Sequence, residues 1–126
     1  MKFKYTIIYV ENVPETLRFY ESAFGFKTGF IHESNDYGEL ITGETKLAFG
    51  THALQTYLGK TSVDADPARP CYEIAFETDD VEGAVHRAVE AGAIVQTPVT
   101  HAEWGQTIAY VSDPNGVLIE ICSPME

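Results

Sequence analysis

Cysteine is scarce in this chain, with only Cys71 and Cys122 among 126 residues. Two thiols so far apart form neither a disulfide framework nor a zinc-type pair. Each lies at the edge of an apolar strand pattern, where a reduced cysteine packs as a small hydrophobe. Basic residues are scarce as well, 8 Lys and Arg against 19 Asp and Glu, for a formal charge of −11. That balance repels phosphate backbones and argues against a nucleic-acid partner. It favours cationic ligands near an acidic cleft, or simply keeps the chain in solution. No apolar run approaches the ~20 residues that cross a bilayer, so no membrane partner is expected. The opening Met1-Lys2-Phe3-Lys4 leads straight into a strand-like segment without the apolar stretch of a secretory signal. A cytoplasmic location is the resulting expectation.

Hydrophobic residues make up 44% of the chain, enough for a real core. The length fits one compact unit or two joined half-units. Tyr5 to Val10 is β-branched and aromatic and reads as a strand. Asn12 then suits a helix cap, with Pro14 in the first turn and Glu15 completing a pattern like a capping box. Val13, Leu17, Tyr20 and Phe24 make a helical stripe that Gly25 stops. Three strands follow, over Phe26 to Ile31, Tyr37 to Ile41 and Lys46 to Thr51, giving β-α-β-β-β.

The pattern then repeats. Tyr72 to Thr78 is a strand, and Asp79 or Asp80 caps a helix carrying Val81, Val85 and Ala88 that ends at Gly92. Ala93 to Pro98, Gln106 to Val111 and Val117 to Cys122 are strands, the last two joined by the turn Asp113-Pro114-Asn115-Gly116. The halves align with Tyr5 on Glu73, Asn12 on Asp80 and Val13 on Val81. In the closing strands Leu47 falls on Leu118 and Phe49 on Glu120. Duplication of strand register and cap together is informative. The expected organisation is an α+β domain over 1–126, with a first module at 1–52, a connector without clear periodicity at 53–70 and a second module at 71–126.

Tyr9-Val10-Glu11-Asn12-Val13, with Phe19-Tyr20-Glu21 and Phe24-Gly25-Phe26, resembles the first-module signature of the vicinal oxygen chelate superfamily. These are the glyoxalase, bleomycin-resistance and extradiol-dioxygenase proteins. Trp104-Gly105-Gln106 and the run Asp113 to Glu120 resemble its C-terminal signature. The resemblance implies two βαβββ modules whose curved mixed sheets enclose a cavity, and a homodimer. It is specific for fold, while the fold hosts lyases, isomerases, dioxygenases and binding proteins alike.

Metal-dependent members of that superfamily place one ligand on the first and one on the last strand of each module, usually histidine or glutamate. Carried onto this chain, those positions are Tyr5, Phe49, Glu73 and Glu120. Two carboxylates fall short of the three or four donors that a catalytic divalent site needs. The expectation is therefore no cofactor, with Glu73 and Glu120 the ligands if a divalent metal does bind. His32, His52 and His86 do not fill the gap by spacing. His101, in the loop of Trp104, is the histidine kept as a cavity candidate.

Strand alternation extends the reading. If Glu73 and Glu120 face the cavity, so do Ala75, Glu77, Leu118 and Cys122, while Ile74, Phe76, Ile119 and Ile121 back onto the helix. In the first module the same rule turns Tyr5, Ile7, Tyr9, Leu47, Phe49 and Thr51 inward. The expected ligand-binding set is Tyr5, Ile7, Tyr9, Phe49, Glu73, Glu77, His101, Trp104 and Glu120. The bland alternative has Glu73 at a solvated rim and Tyr5 and Tyr9 as ordinary core aromatics.

Three functions compete. One is a metal-free module binding an amphipathic, cationic small molecule, with cation–π help from Tyr5, Tyr9 and Trp104. Another is a lyase or isomerase with Glu73 or Glu120 as general base, its pKa raised by the other carboxylate. The third is a structural or protein-partner role.

Overall fold

The computed structural model describes residues 1–125 and divides the chain into two compact units, Met1–Asp64 and Ala65–Glu126. The first contains β1 (Tyr5–Val10), α1 (Val13–Phe24), β2 (Thr28–Ile31), β3 (Tyr37–Leu40), β4 (Lys46–Thr51) and a short α2 (His52–Tyr57). The second contains β5 (Ile74–Glu77), α3 (Val81–Ala91), β6 (Ile94–His101), β7 (Thr107–Ser112) and β8 (Leu118–Cys122). Each forms a four-stranded mixed sheet, ordered β1-β4-β3-β2 in one and β5-β8-β7-β6 in the other. The first and last strands of each unit run parallel, and the remaining pairs are antiparallel. The βαβββ pattern written twice in the sequence is thus the fold, an α+β architecture.

Local chemistry explains the matching starts. Asn12 Oδ1 accepts from the Glu15 amide at 3.0 Å, and Asp80 Oδ1 accepts from the Gly83 amide at 2.9 Å. Each such cap contributes about 1 kcal/mol by satisfying a helix-end donor. Both helices end on a left-handed glycine, Gly25 and Gly92. Against α1 the sheet buries Ile8, Val10, Leu40 and Phe49, with Val13, Leu17 and Tyr20 from the helix. Against α3 it buries Ala109, Val111, Ile119 and Ile121, with Val81, Ala84 and Ala88 from the helix. The second core is built of smaller side chains around an alanine-faced helix.

Several boundaries move. β2 begins at Thr28 rather than Phe26, and β5 covers only Ile74–Glu77. β6 runs on past Pro98 to His101, so His101 closes a strand instead of sitting in a loop. The connector holds an unexpected helical turn, α2, whose start Thr51 caps by accepting from the Leu54 amide at 3.0 Å. Among the described residues no helix is long and apolar enough to cross a membrane.

Candidate functional site

With one face of each sheet buried against its helix, the other face carries the side chains available for chemistry. In the second unit, strand register decides which they are. Ala75 stands opposite Glu120 and Glu77 opposite Cys122 on β5 and β8, and Tyr110 stands opposite Glu120 on β7. Directly paired residues share a face, as do residues two apart along a strand. Glu73, Ala75, Glu77, Tyr110, Leu118, Glu120 and Cys122 therefore belong to the helix-free face, as alternation predicts.

Glu73 and Glu120 are brought together there by a phenol. The Tyr110 hydroxyl donates to Glu73 Oε2 at 3.3 Å and is also hydrogen-bonded to Glu120. A phenol has one hydrogen and further acceptor capacity, so it serves both carboxylates best when one is protonated. The pKa of Glu120 is raised, first by burial and then by the charge of Glu73, while the bond to Tyr110 works against the rise. Tyr110 itself is pushed up to about 12 by burial and by the charges of Glu120 and Glu73. Burial, then Glu120 and Glu77, raise the Cys122 thiol. Among the described residues no lysine, arginine or histidine pairs with Glu73 or Glu120.

The corresponding face of the first unit is differently equipped. Ile7 stands opposite Ala48 and Tyr9 opposite Gly50, with Glu39 and Tyr37 next along the sheet. Ala48, and not Phe49, is thus the counterpart of Glu120. Phe49 points the other way and packs on Tyr20 of α1, ring centroids 5.0 Å apart, with no exposed surface. The expectation that Leu47, Phe49 and Thr51 line the cavity is corrected by this one-residue shift, which turns a whole strand over. Tyr5, Ile7 and Tyr9 are on the face away from α1 as expected, with Gln55 of α2 covering its Gly50 end.

Other residues there escaped the sequence reading. Glu39 accepts from Tyr37 Oη at 2.8 Å and from Lys46 Nζ at 3.2 Å. Lys60 donates to Gln55 Oε1 at 3.0 Å and to Tyr9 Oη at 3.3 Å, its ammonium 5.3 Å from the Tyr9 ring centroid. Gln55 is buried over Gly50, where an added Cβ would stand only 2.8 Å from its Nε2. Tyr110 was readable in principle, since half-buried Ile108 and Tyr110 alternate with buried Ala109 and Val111. Lys60 and Gln55 carried no such signal, because a non-periodic connector places them.

His101 and Trp104 do not join the carboxylates. His101 pairs with Thr107, out of phase with Ile108 and Tyr110, and its Nδ1 lies 3.0 Å from Thr107 Oγ1. Trp104 sits exposed in the β6–β7 turn and donates to Gln106 Oε1 at 2.7 Å. It lines an open cleft of about 410 Å³ with Gln106, Ser123, Pro124 and Met125. Glu77 is on the carboxylate face but exposed, one strand residue pair beyond Glu120.

This donor set is thin for a metal. Two carboxylates and a neutral phenol are short of a divalent site's three or four strong donors. No group of three or more His, Cys, Asp or Glu among the described residues stands close enough to hold an ion.

Comparison with known proteins agrees with the architecture. The glyoxalase-like domain family matches residues 3–126. Over 115 residues the chain is 28% identical to 4-hydroxyphenylpyruvate dioxygenase of Neurospora crassa, covering 73% of this chain and 28% of that enzyme. It therefore spans little more than a quarter of the dioxygenase's length. A glyoxalase-related enzyme from Fulvimarina pelagi superposes with a TM-score of 0.85 at 20% identity, covering 98% of this chain and 88% of the other. A glyoxalase/bleomycin resistance protein/dioxygenase family enzyme from Burkholderia phytofirmans PsJN gives 0.81 at 21% identity, with 98% of each covered. The chain belongs to the glyoxalase-like domain family, within the vicinal oxygen chelate superfamily.

Proposed function

We propose that this is a metal-free small-molecule-binding protein whose second-unit sheet face takes the cationic end of an amphipathic ligand. The observation that carries the reading is the Glu73–Tyr110–Glu120 cluster, two carboxylates on one phenol with no cation of the described residues paired with them. Part-buried Glu120 resists carrying its charge beside that of exposed Glu73, and a ligand ammonium or guanidinium would relieve that repulsion. The chain's net charge of −11 would draw such a ligand in.

Calorimetric titration with planar aromatic amines and guanidines tests the reading. Binding that weakens about tenfold or more in Glu120→Gln is expected, corresponding to at least ~1.4 kcal/mol. Flat heats across the cationic panel, with heat from anionic analogues instead, would overturn it.

The raised pKa of Glu120 favours one second reading, a lyase or isomerase in which this carboxylate removes a carbon-bound proton beside a carbonyl. Exchange of such protons with deuterated water, abolished in Glu120→Gln, would select it over binding alone.

A further inference from the structure

A second polar cluster, wholly within the first unit, is arranged for different chemistry. His52 opens α2, and the chain beyond that helix returns Ser62 and Asp64 to its imidazole. Ser62 Oγ lies 2.7 Å from Nδ1, and Asp64 Oδ1 lies 2.7 Å from Nε2. An ionised carboxylate can only accept, so a neutral imidazole must carry its hydrogen on Nε2. Nδ1 then presents its lone pair, and the Ser62 hydroxyl donates to it. The bonds run from hydroxyl to base and from base to orienting carboxylate, the order that activates a serine nucleophile. The two nitrogens are exchanged relative to the usual serine hydrolase, but such groups are defined by geometry and role.

The cluster is braced by neighbours that take no part in it. Thr51 caps α2 directly before His52. The Lys60 amide donates to the Gln55 carbonyl at 2.8 Å, and Lys60 Nζ holds Gln55 and Tyr9, fixing the return of the chain two residues before Ser62. The imidazole is largely enclosed, its side chain 19% exposed, while Ser62 is half-buried and reachable.

We propose that Ser62 is a nucleophilic serine, deprotonated by His52 with Asp64 as positioning residue, and that it takes acyl groups from activated esters. The Ser62 oxygen bonds to the acyl carbon as the ester C–O bond breaks. The hydroxyl proton passes to His52 Nδ1 and from there to the departing oxygen. Water then gives a proton to the same nitrogen and attacks the seryl ester. The seryl C–O bond breaks, the proton returns to Ser62 Oγ, and a carboxylic acid is released. This site is independent of the Glu73–Tyr110–Glu120 face, so either proposal can fail without the other.

The test uses the full chain with p-nitrophenyl acetate, read by nitrophenolate release, and a fluorophosphonate probe, read by intact mass and peptide mapping. One adduct on Ser62 is expected. Ser62→Ala and His52→Gln should each lower hydrolysis about tenfold or more, in keeping with the ~10²–10⁴ that a positioned base supplies. The wild-type rate should fall in deuterium oxide, because a proton moves from Ser62 to His52 as the acyl carbon is attacked. Asp64→Asn should lower kcat with little change in KM while leaving thermal unfolding unchanged, which a merely structural carboxylate would not do. Absence of an adduct on Ser62, equal labelling in His52→Gln, or an unchanged rate in deuterium oxide would each overturn the proposal. If His52→Gln fails to fold, Ser62→Ala and the wild-type rate in deuterium oxide still decide between the two outcomes.

Discussion

The two units repeat one scaffold and differ in how the sheet faces turned away from α1 and α3 handle a carboxylate. In the first, Glu39 is neutralised on the spot by Lys46 and also accepts from the Tyr37 hydroxyl. In the second, Tyr110 occupies the station of Glu39, Leu118 that of Lys46 and Glu120 that of Ala48. A phenol has replaced the carboxylate, the lysine is gone, and carboxylates stand instead at the stations of Tyr5 and Ala48. The helix-facing sides meanwhile keep the same logic, apolar strands against an apolar helix stripe. A sheet buried on one face can therefore change its chemistry on the other without touching the packing that holds it.

The comparison breaks most forcefully if the helix sides do not carry the stability. Phe49→Ala should cost about 3–5 kcal/mol, by loss of buried area and a cavity beside Tyr20, measurable by urea unfolding. Had Phe49 lined a cavity, the cost would be far smaller and ligand binding would suffer instead. Next comes transplanting the missing cation. Leu118→Lys puts an ammonium on the face of Glu120, as Lys46 does for Glu39, and should weaken cationic ligands by about tenfold (~1.4 kcal/mol) in the same titration.

Acid dependence of stability separates the units further. Glu120 keeps its proton to higher pH in the fold than in the unfolded chain, so the native state binds more protons across that interval. Stability contributed by this group is full at low pH and falls as pH rises from the ordinary carboxylate range through the raised value. Urea midpoints measured between about pH 4 and 7 should show this decline, and Glu120→Gln should flatten it. Tyr110→Phe removes the bond that opposes the rise and should move the decline to higher pH. The smallest effect belongs to the neutralised face. Lys46→Met should cost only ~0.2–1 kcal/mol of stability, because a partly exposed ion pair is weak.

Much of this was legible in the residues. Caps at Asn12 and Asp80, glycine stops at Gly25 and Gly92 and alternation in β8 are local signals, and they placed the elements and turned Glu73 and Glu120 to one face. The error over Phe49 arose where alternation itself fails. Leu47, Ala48, Phe49 and Gly50 are all buried, so no apolar–polar rhythm marks which side is which. In β8 the rhythm of Leu118, Ile119, Glu120 and Ile121 is unambiguous, and Glu120 faces the way that rhythm predicts.

By itself, the sequence determined the duplicated βαβββ order, the family and the pairing of two acidic strand positions, because periodicity, capping and repetition are properties of near neighbours. Tertiary structure alone decided that Tyr110 bridges those acids, that Ala48 is the counterpart of Glu120, and that Lys60, Ser62 and Asp64 return to Tyr9 and His52. Such contacts depend on inter-strand register and on the path of a non-periodic connector, which long-range packing sets and local composition does not.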